Sequence, residues 1–340
     1  MDGDRLRATV VGFLAAAGVL AVLVYTLDVG ELSENILRAE PRLLALVVGA
    51  ILVWLFAWGL ALRTVLSVLG EKIRPRVAFL VFNGAMFSNN VTPFGQAGGE
   101  PVTALLISQV TDAEYERSLA AIASVDTLNF FPSIGFALFG AAYYATRITL
   151  PRQLRFATGV AVLLAVAVPV GGYTAWRYRA SLSGFVVGRL TPLVQRVARG
   201  LPGVSEPSPE SVAQRIEHFF GAIERVATDP KGLALAMSAS TLGWFCQMIG
   251  LWLAFQALSQ PVDFVVIMFA VPMGAVAGAT PTPGGSGFIE TVLIALLTVL
   301  LPVPGATVGA AVILFRAAVF GVPVLIGGLV VSWIGVDVFG

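Results

Sequence analysis

Six apolar runs, at 6–27, 42–69, 118–145, 154–175, 231–258 and 306–333, punctuate this chain. About 20 apolar residues cross the hydrocarbon of a bilayer, so each run predicts a spanning helix. Two further apolar regions, 77–110 and 264–301, are each interrupted near the middle by prolines and glycines. Each predicts two half-helices joined by a turn, either as a re-entrant hairpin or as a pair of broken spans.

The two interruptions resemble one another. The first reads Thr92-Pro-Phe-Gly-Gln-Ala-Gly-Gly-Glu100 and the second Thr280-Pro-Thr-Pro-Gly-Gly-Ser-Gly-Phe-Ile-Glu290. Setting Pro93 on Pro283 brings Glu100 onto Glu290, at an offset of 190 residues. Unwound backbone at membrane depth is tolerated only where protein buries it or where it lines a watery cavity. Paired interruptions in matching halves of a chain point to a transporter's binding site. The expected fold is an all-α polytopic membrane protein, with about six full spans and two broken or re-entrant hairpins arranged as an inverted repeat.

Composition agrees with this reading. The 340 residues are 57% hydrophobic and 12% charged, with mean hydropathy +0.87. A soluble domain carries about 25% charged residues. Net charge is +1, which gives no reason to expect nucleic acid. A single cysteine, Cys246, excludes an intramolecular disulfide and a cysteine metal cluster. A single histidine, His218, excludes multi-histidine metal sites, and no cofactor is implied. The only lysines are Lys72 and Lys231, an arginine bias that fits a GC-rich prokaryotic genome.

Loop charges set the expected topology. The 177–230 segment and the 70–76 loop are rich in arginine and lysine and should be cytoplasmic. The 28–41 loop holds Asp28, Glu31, Glu34 and Glu40 against Arg38 alone, which fits the outside. Three arginines at 147–155 run against the rule. The result is a multi-pass plasma-membrane protein with both termini cytoplasmic. The whole chain, 1–340, is one membrane domain: an extra span and outer loop at 1–41, repeat unit A at 42–145, a linking span at 146–176, a cytoplasmic loop at 177–230 and repeat unit B at 231–335. Within the loop, 181–199 and 209–228 have helical apolar periodicity. The second has Ser208 as a cap and Pro209 in the first turn. A basic amphipathic helix of this kind lies at the lipid interface or packs on the bundle.

Four charged residues inside apolar sequence carry the chemistry, because an intramembrane charge is costly and marks function by default. Glu100 and Glu290 each follow a glycine-rich turn, where a carboxylate binds a cationic headgroup, couples to a proton or sodium ion, or simply caps a half-helix. Asp126 and Arg316 are equivalent at the 190-residue offset. They pair with each other, or Arg316 pairs with a glutamate; its planar fork also suits a lipid phosphate. Asn90 and Gln96, with Asn89, Asn129 and Gln247, are candidates to line a polar cavity. Gly98, Gly99, Gly284, Gly285 and Gly287, with Gly95, supply turn freedom and a backbone approach to phosphate. The tryptophans read as interfacial or packing residues.

The motifs Asn90-Val-Thr-Pro93, Gly98-Gly-Glu-Pro101 and Pro281-Thr-Pro-Gly-Gly-Ser-Gly-Phe-Ile-Glu290, followed by Arg316, resemble the lysylphosphatidylglycerol-synthase transmembrane family. This is the flippase-like membrane half of multiple-peptide-resistance proteins. The resemblance runs from about 40 to 335. Members often carry an arginine shortly after the first glutamate, where Thr103 stands here. No aminoacyl-transferase domain is expected after the membrane part. The resemblance therefore implies lipid translocation, not lysyl transfer and not an enzyme. Substrates compatible with it are anionic or aminoacylated phospholipids and lipid-linked sugars; homodimerisation is left open. An ion-coupled solute carrier is the alternative, and an enzyme acting on lipid-linked substrates ranks below both. No Gly-Lys-Ser/Thr motif is present, so transport would be passive or ion-coupled.

Overall fold

A computed structural model describes residues 29–92, 96–111, 113–146, 152–178, 209–280 and 282–339. Among these there are eleven α-helices and no strand. Helix α1 is Val29–Arg38, α2 Pro41–Val68, α3 Pro75–Val91, α4 Gln96–Thr111, α5 Tyr115–Ala145 and α6 Arg152–Arg177. They are followed by α7 Pro209–Thr228, α8 Pro230–Ala257, α9 Phe264–Val276, α10 Phe288–Leu300 and α11 Gly305–Phe339. Five expected spans appear as α2, α5, α6, α8 and α11. A sixth stretch long and apolar enough to cross a membrane is Pro283–Leu300, inside the second interrupted region. The run at 6–27 and the helix at 181–199 lie outside the described residues.

Local signals place the helix ends. Proline opens α2, α3 and α8, where a missing N–H costs nothing. Asp229 and Asp263 accept backbone N–H bonds from Lys231 and Val265 at the starts of α8 and α9. Helix α2 closes at Gly70, where φ of +99° lets the Glu71 N–H reach the Leu66 carbonyl.

The most extensive helix interface joins α2 to α8. Trp54, Trp58, Leu62 and Leu66 recur along one face of α2, and all are buried in the main core. Several of the remaining interfaces come in matched pairs. α3 packs on α11 as α9 packs on α5; α2 meets α11 as α8 meets α5; α3 and α4 pair as α9 and α10 do.

Polar contacts mark the two ends of the bundle. At one end Arg117 bridges to Glu71 at 3.2 Å, and Arg215 to Glu116 at 2.6 Å. At the other, the Glu40 N–H donates to the Ala257 carbonyl and Asn35 donates to Thr307. The α3–α4 hairpin leaves and returns at the first end, and the α9–α10 hairpin at the second.

Helix α7 packs against α5, with Ala222 and Val226 buried. His218 Nδ1 lies 3.2 Å from a Glu114 carboxylate oxygen. The apolar stripe of α7 therefore covers the end of the bundle, the packing alternative expected for this helix.

Candidate substrate site

The two hairpin tips meet beside Asn89 and Asn90, at the end of α3. A side-chain carbon on Gly99 would stand 2.7 Å from the Asn89 backbone nitrogen, so only glycine lets α4 lie this close to α3. On the other hairpin Gly284 presses on Asn90 in the same way, with φ of +57°. Gly285 and Gly287 also have positive φ, at 66° and 86°. The expected turn role thus holds for the second motif. In the first, α4 already begins at Gln96, so Gly98 and Gly99 are helical and Gly99 serves close packing instead. The side chain of Gln96 and the turn residues Pro93 to Gly95 lie outside the described residues.

This register separates the two glutamates. Glu290 sits in the first turn of α10 and accepts the Gly287 N–H at 2.7 Å, which is capping. Its other oxygen accepts from Arg316 Nε at 2.6 Å, with both side chains buried. Arg316 Nη2 donates to the Gly284 carbonyl at 3.2 Å. Glu100 lies beyond the first turn of α4 and caps nothing there. Its carboxyl group instead lies close enough to Asp126 to interact directly. Of the pairings open to Arg316, the one with Glu290 is realised, and Asp126 does not meet Arg316. The 26-residue spacing is the same in both pairs, so each glutamate meets the equivalent position of its own half.

Glu100, Asp126 and Arg316 border a cavity of about 640 Å³ with Asn89, Asn90 and Asn129. Gln247 and Gly284 also line it, whereas Glu290 stands behind Arg316. Sequence reasoning missed the aromatic wall of Trp54, Trp58 and Trp244. Trp54 and Trp244 are themselves 190 residues apart, a signal present in the sequence. Trp58 packs edge-on between them, with ring centroids 5.4 Å from Trp54 and 5.7 Å from Trp244. The Trp244 N–H donates to the Asn129 carbonyl at 2.8 Å, and the Ser240 hydroxyl to Asn129 Oδ1 at 2.6 Å.

Several buried polar atoms on this wall lack a protein partner: Trp54 Nε1, Asn89 Oδ1, Asn90 Nδ2, Asp126 Oδ2 and Asn129 Nδ2. These atoms have essentially no accessible area, so they stand within the wall, beneath the cavity surface. The cavity wall continues through Ile134 and Leu164 to Phe130 and Val276, which are exposed. Leu163, Val166 and Val170 of α6 are exposed beside them. Among the described residues no cluster of histidine, cysteine and carboxylate side chains has the makings of a metal site.

Fold and site together define a multi-pass α-helical membrane protein with a polar cavity where two interrupted hairpins meet. The family model described as the lysylphosphatidylglycerol synthase TM region matches residues 9–327, and the chain belongs to that family. A UPF0104 membrane protein of Methanothermobacter thermautotrophicus is 26% identical over 98% of this chain and 95% of its own. One from Pyrococcus horikoshii is 24% identical, covering 92% of this chain and 93% of its own. Another, from Methanocaldococcus jannaschii, is 20% identical over 94% and 93%.

Proposed function

We propose that this protein moves lipids with polar headgroups between the leaflets of the plasma membrane, without chemical turnover. The carrying observation is a cavity lined by charged and amide side chains, with an edge of exposed apolar residues, Phe130 and Val276. A headgroup occupies the polar interior while its acyl tails remain in the hydrocarbon. Glu100, Asp126, Asn90 and Arg316 contact the headgroup; Glu290 holds Arg316 in place. Units 42–145 and 231–335 act as an inverted repeat, a reading supported by the matched helix pairs and by hairpins that enter from opposite ends. The end bearing Lys72, Arg74, Arg76 and α7 faces the cytoplasm. Membrane lipids are then the partners.

The Glu100–Asp126 pair favours one second reading, an ion-coupled carrier of a soluble solute. Proteoliposomes separate the two. Loss of headgroup-labelled lipid from the outer leaflet, measured by chemical bleaching, is expected for the lipid reading. Solute uptake driven by an ion gradient, with no lipid movement, would replace it.

A further inference from the structure

Glu100 and Asp126 both line the cavity, and their carboxyl groups are hydrogen-bonded to each other. An ionised carboxylate only accepts, so this bond requires a proton on one of the two. Two carboxyl groups in contact share a proton in this way unless a cation stands beside them. Here the charged neighbour of each is the other. Of the helices packed on α4 and α5, α9 carries no charged residue and α3 carries Arg76 alone, in its first turn. Helices α2, α6 and α8 keep their charges near their ends, and the Cys246 thiol on α8 supplies no positive charge. The other titratable groups of α5 lie at its two ends, and α7 covers the end of the bundle, where His218 meets Glu114. Arg316, on the same cavity, is bonded to Glu290 and to the Gly284 carbonyl.

The backbone is weakened at the same place. Pro101 follows Glu100 inside α4 and has no N–H to give the helix. At the 190-residue offset stands Thr291, whose N–H donates to the Gly287 carbonyl at 3.0 Å. The second half therefore has both an ion pair and the backbone bond beside its glutamate, and the first half lacks both.

We propose that Glu100 and Asp126 form a proton-binding site on the cavity wall, whose proton moves in step with the cargo. With the proton bound, the shared hydrogen bond ties α4 to α5. When the proton leaves to cavity water through Glu100, two like charges face each other and α4 parts from α5 at Pro101. Glu100 is then free to meet a headgroup. A metal cation would have to enter between two carboxyl groups already in contact, whereas a proton uses the contact as it stands. The lipid nature of the cargo rests on the translocation reading above; the proton site does not.

The test uses the full chain in phosphatidylcholine vesicles. Infrared difference spectra recorded through a pH titration report the carbonyl stretch of a protonated carboxyl group. A band that fades as pH rises, and that is missing from Glu100→Gln and from Asp126→Asn, is expected; either variant suffices if the other fails to fold. A trace of headgroup-labelled phosphatidylethanolamine is then followed under a pH gradient at equal sodium, and under a sodium gradient at equal pH. One proton per lipid shifts the steady-state leaflet ratio by about tenfold per pH unit. The sodium gradient should leave the ratio even, and the pH gradient should move nothing in Glu100→Gln. A titration that the variants leave unchanged, or lipid movement that follows sodium or neither gradient, overturns the proposal. Lipid that does not move at all, beside a titrating pair, defeats the translocation reading and leaves the proton site with a soluble cargo.

Discussion

Arg316 and Glu290 form a buried ion pair at 2.6 Å, whereas the equivalent positions in the first half, Asp126 and Glu100, bring two carboxyl groups together. The 26-residue spacing is the same in both pairs and the chemistry differs. One half holds a neutralised lock behind the cavity wall, and the other holds an acidic pair on the wall itself. On the proposed function, Glu100, Asp126 and Arg316 face the headgroup, and Glu290 holds Arg316 in place.

The lock is expected to be a stability element. Breaking a buried pair by removing one partner costs about 3–5 kcal/mol, because the other charge is left buried and alone. Glu290→Gln should therefore lower the melting temperature of the detergent-solubilised protein by several degrees. Joint replacement of Glu290 and Arg316 by apolar residues should recover most of the loss, as followed by thermal unfolding.

Asp126→Asn should behave in the opposite way. It removes a like-charge neighbour of Glu100, so the melting temperature should hold or rise. Headgroup movement should fall at least tenfold, because the variant removes an ionisable carboxyl group from the cavity wall. Parallel melting and flipping measurements read both effects.

Gly99→Ala tests the contact between the hairpin arms. Its new methyl group would collide with the Asn89 backbone, and such overpacking typically costs about 1–3 kcal/mol. Gly49→Ala meets open space and serves as the control, with unfolding unchanged or slightly improved.

Gly287→Ala tests the second turn. At φ of +86° an alanine is strained, by about 1–2 kcal/mol, and its N–H is the one Glu290 caps. A lower melting temperature with a normal profile on size exclusion is the expected result.

Much of this was legible in the sequence. The apolar runs gave the spans at α2, α5, α6, α8 and α11, and the two proline/glycine stretches marked the cavity. The 190-residue offset brought Glu100, Glu290, Asp126 and Arg316 into one scheme. It did not reveal that each glutamate pairs within its own half, since charge complementarity alone favours Asp126 with Arg316. Helix propensity also misplaced the start of α4: glycines read as a turn, but contact with Asn89 holds Gly99 inside the helix. The tryptophans, each taken alone, read as interfacial or packing residues, and only the offset joining Trp54 to Trp244 singles out the wall they form.

The most direct measurement is lipid flipping in proteoliposomes by Glu100→Gln beside the wild-type chain, with headgroup-labelled lipid bleached in the outer leaflet. Rapid flipping by the wild type, and loss of it in a variant that melts no lower, is the predicted result. A folded Glu100→Gln protein that flips lipid at the wild-type rate would contradict the assignment of the acidic pair to the headgroup.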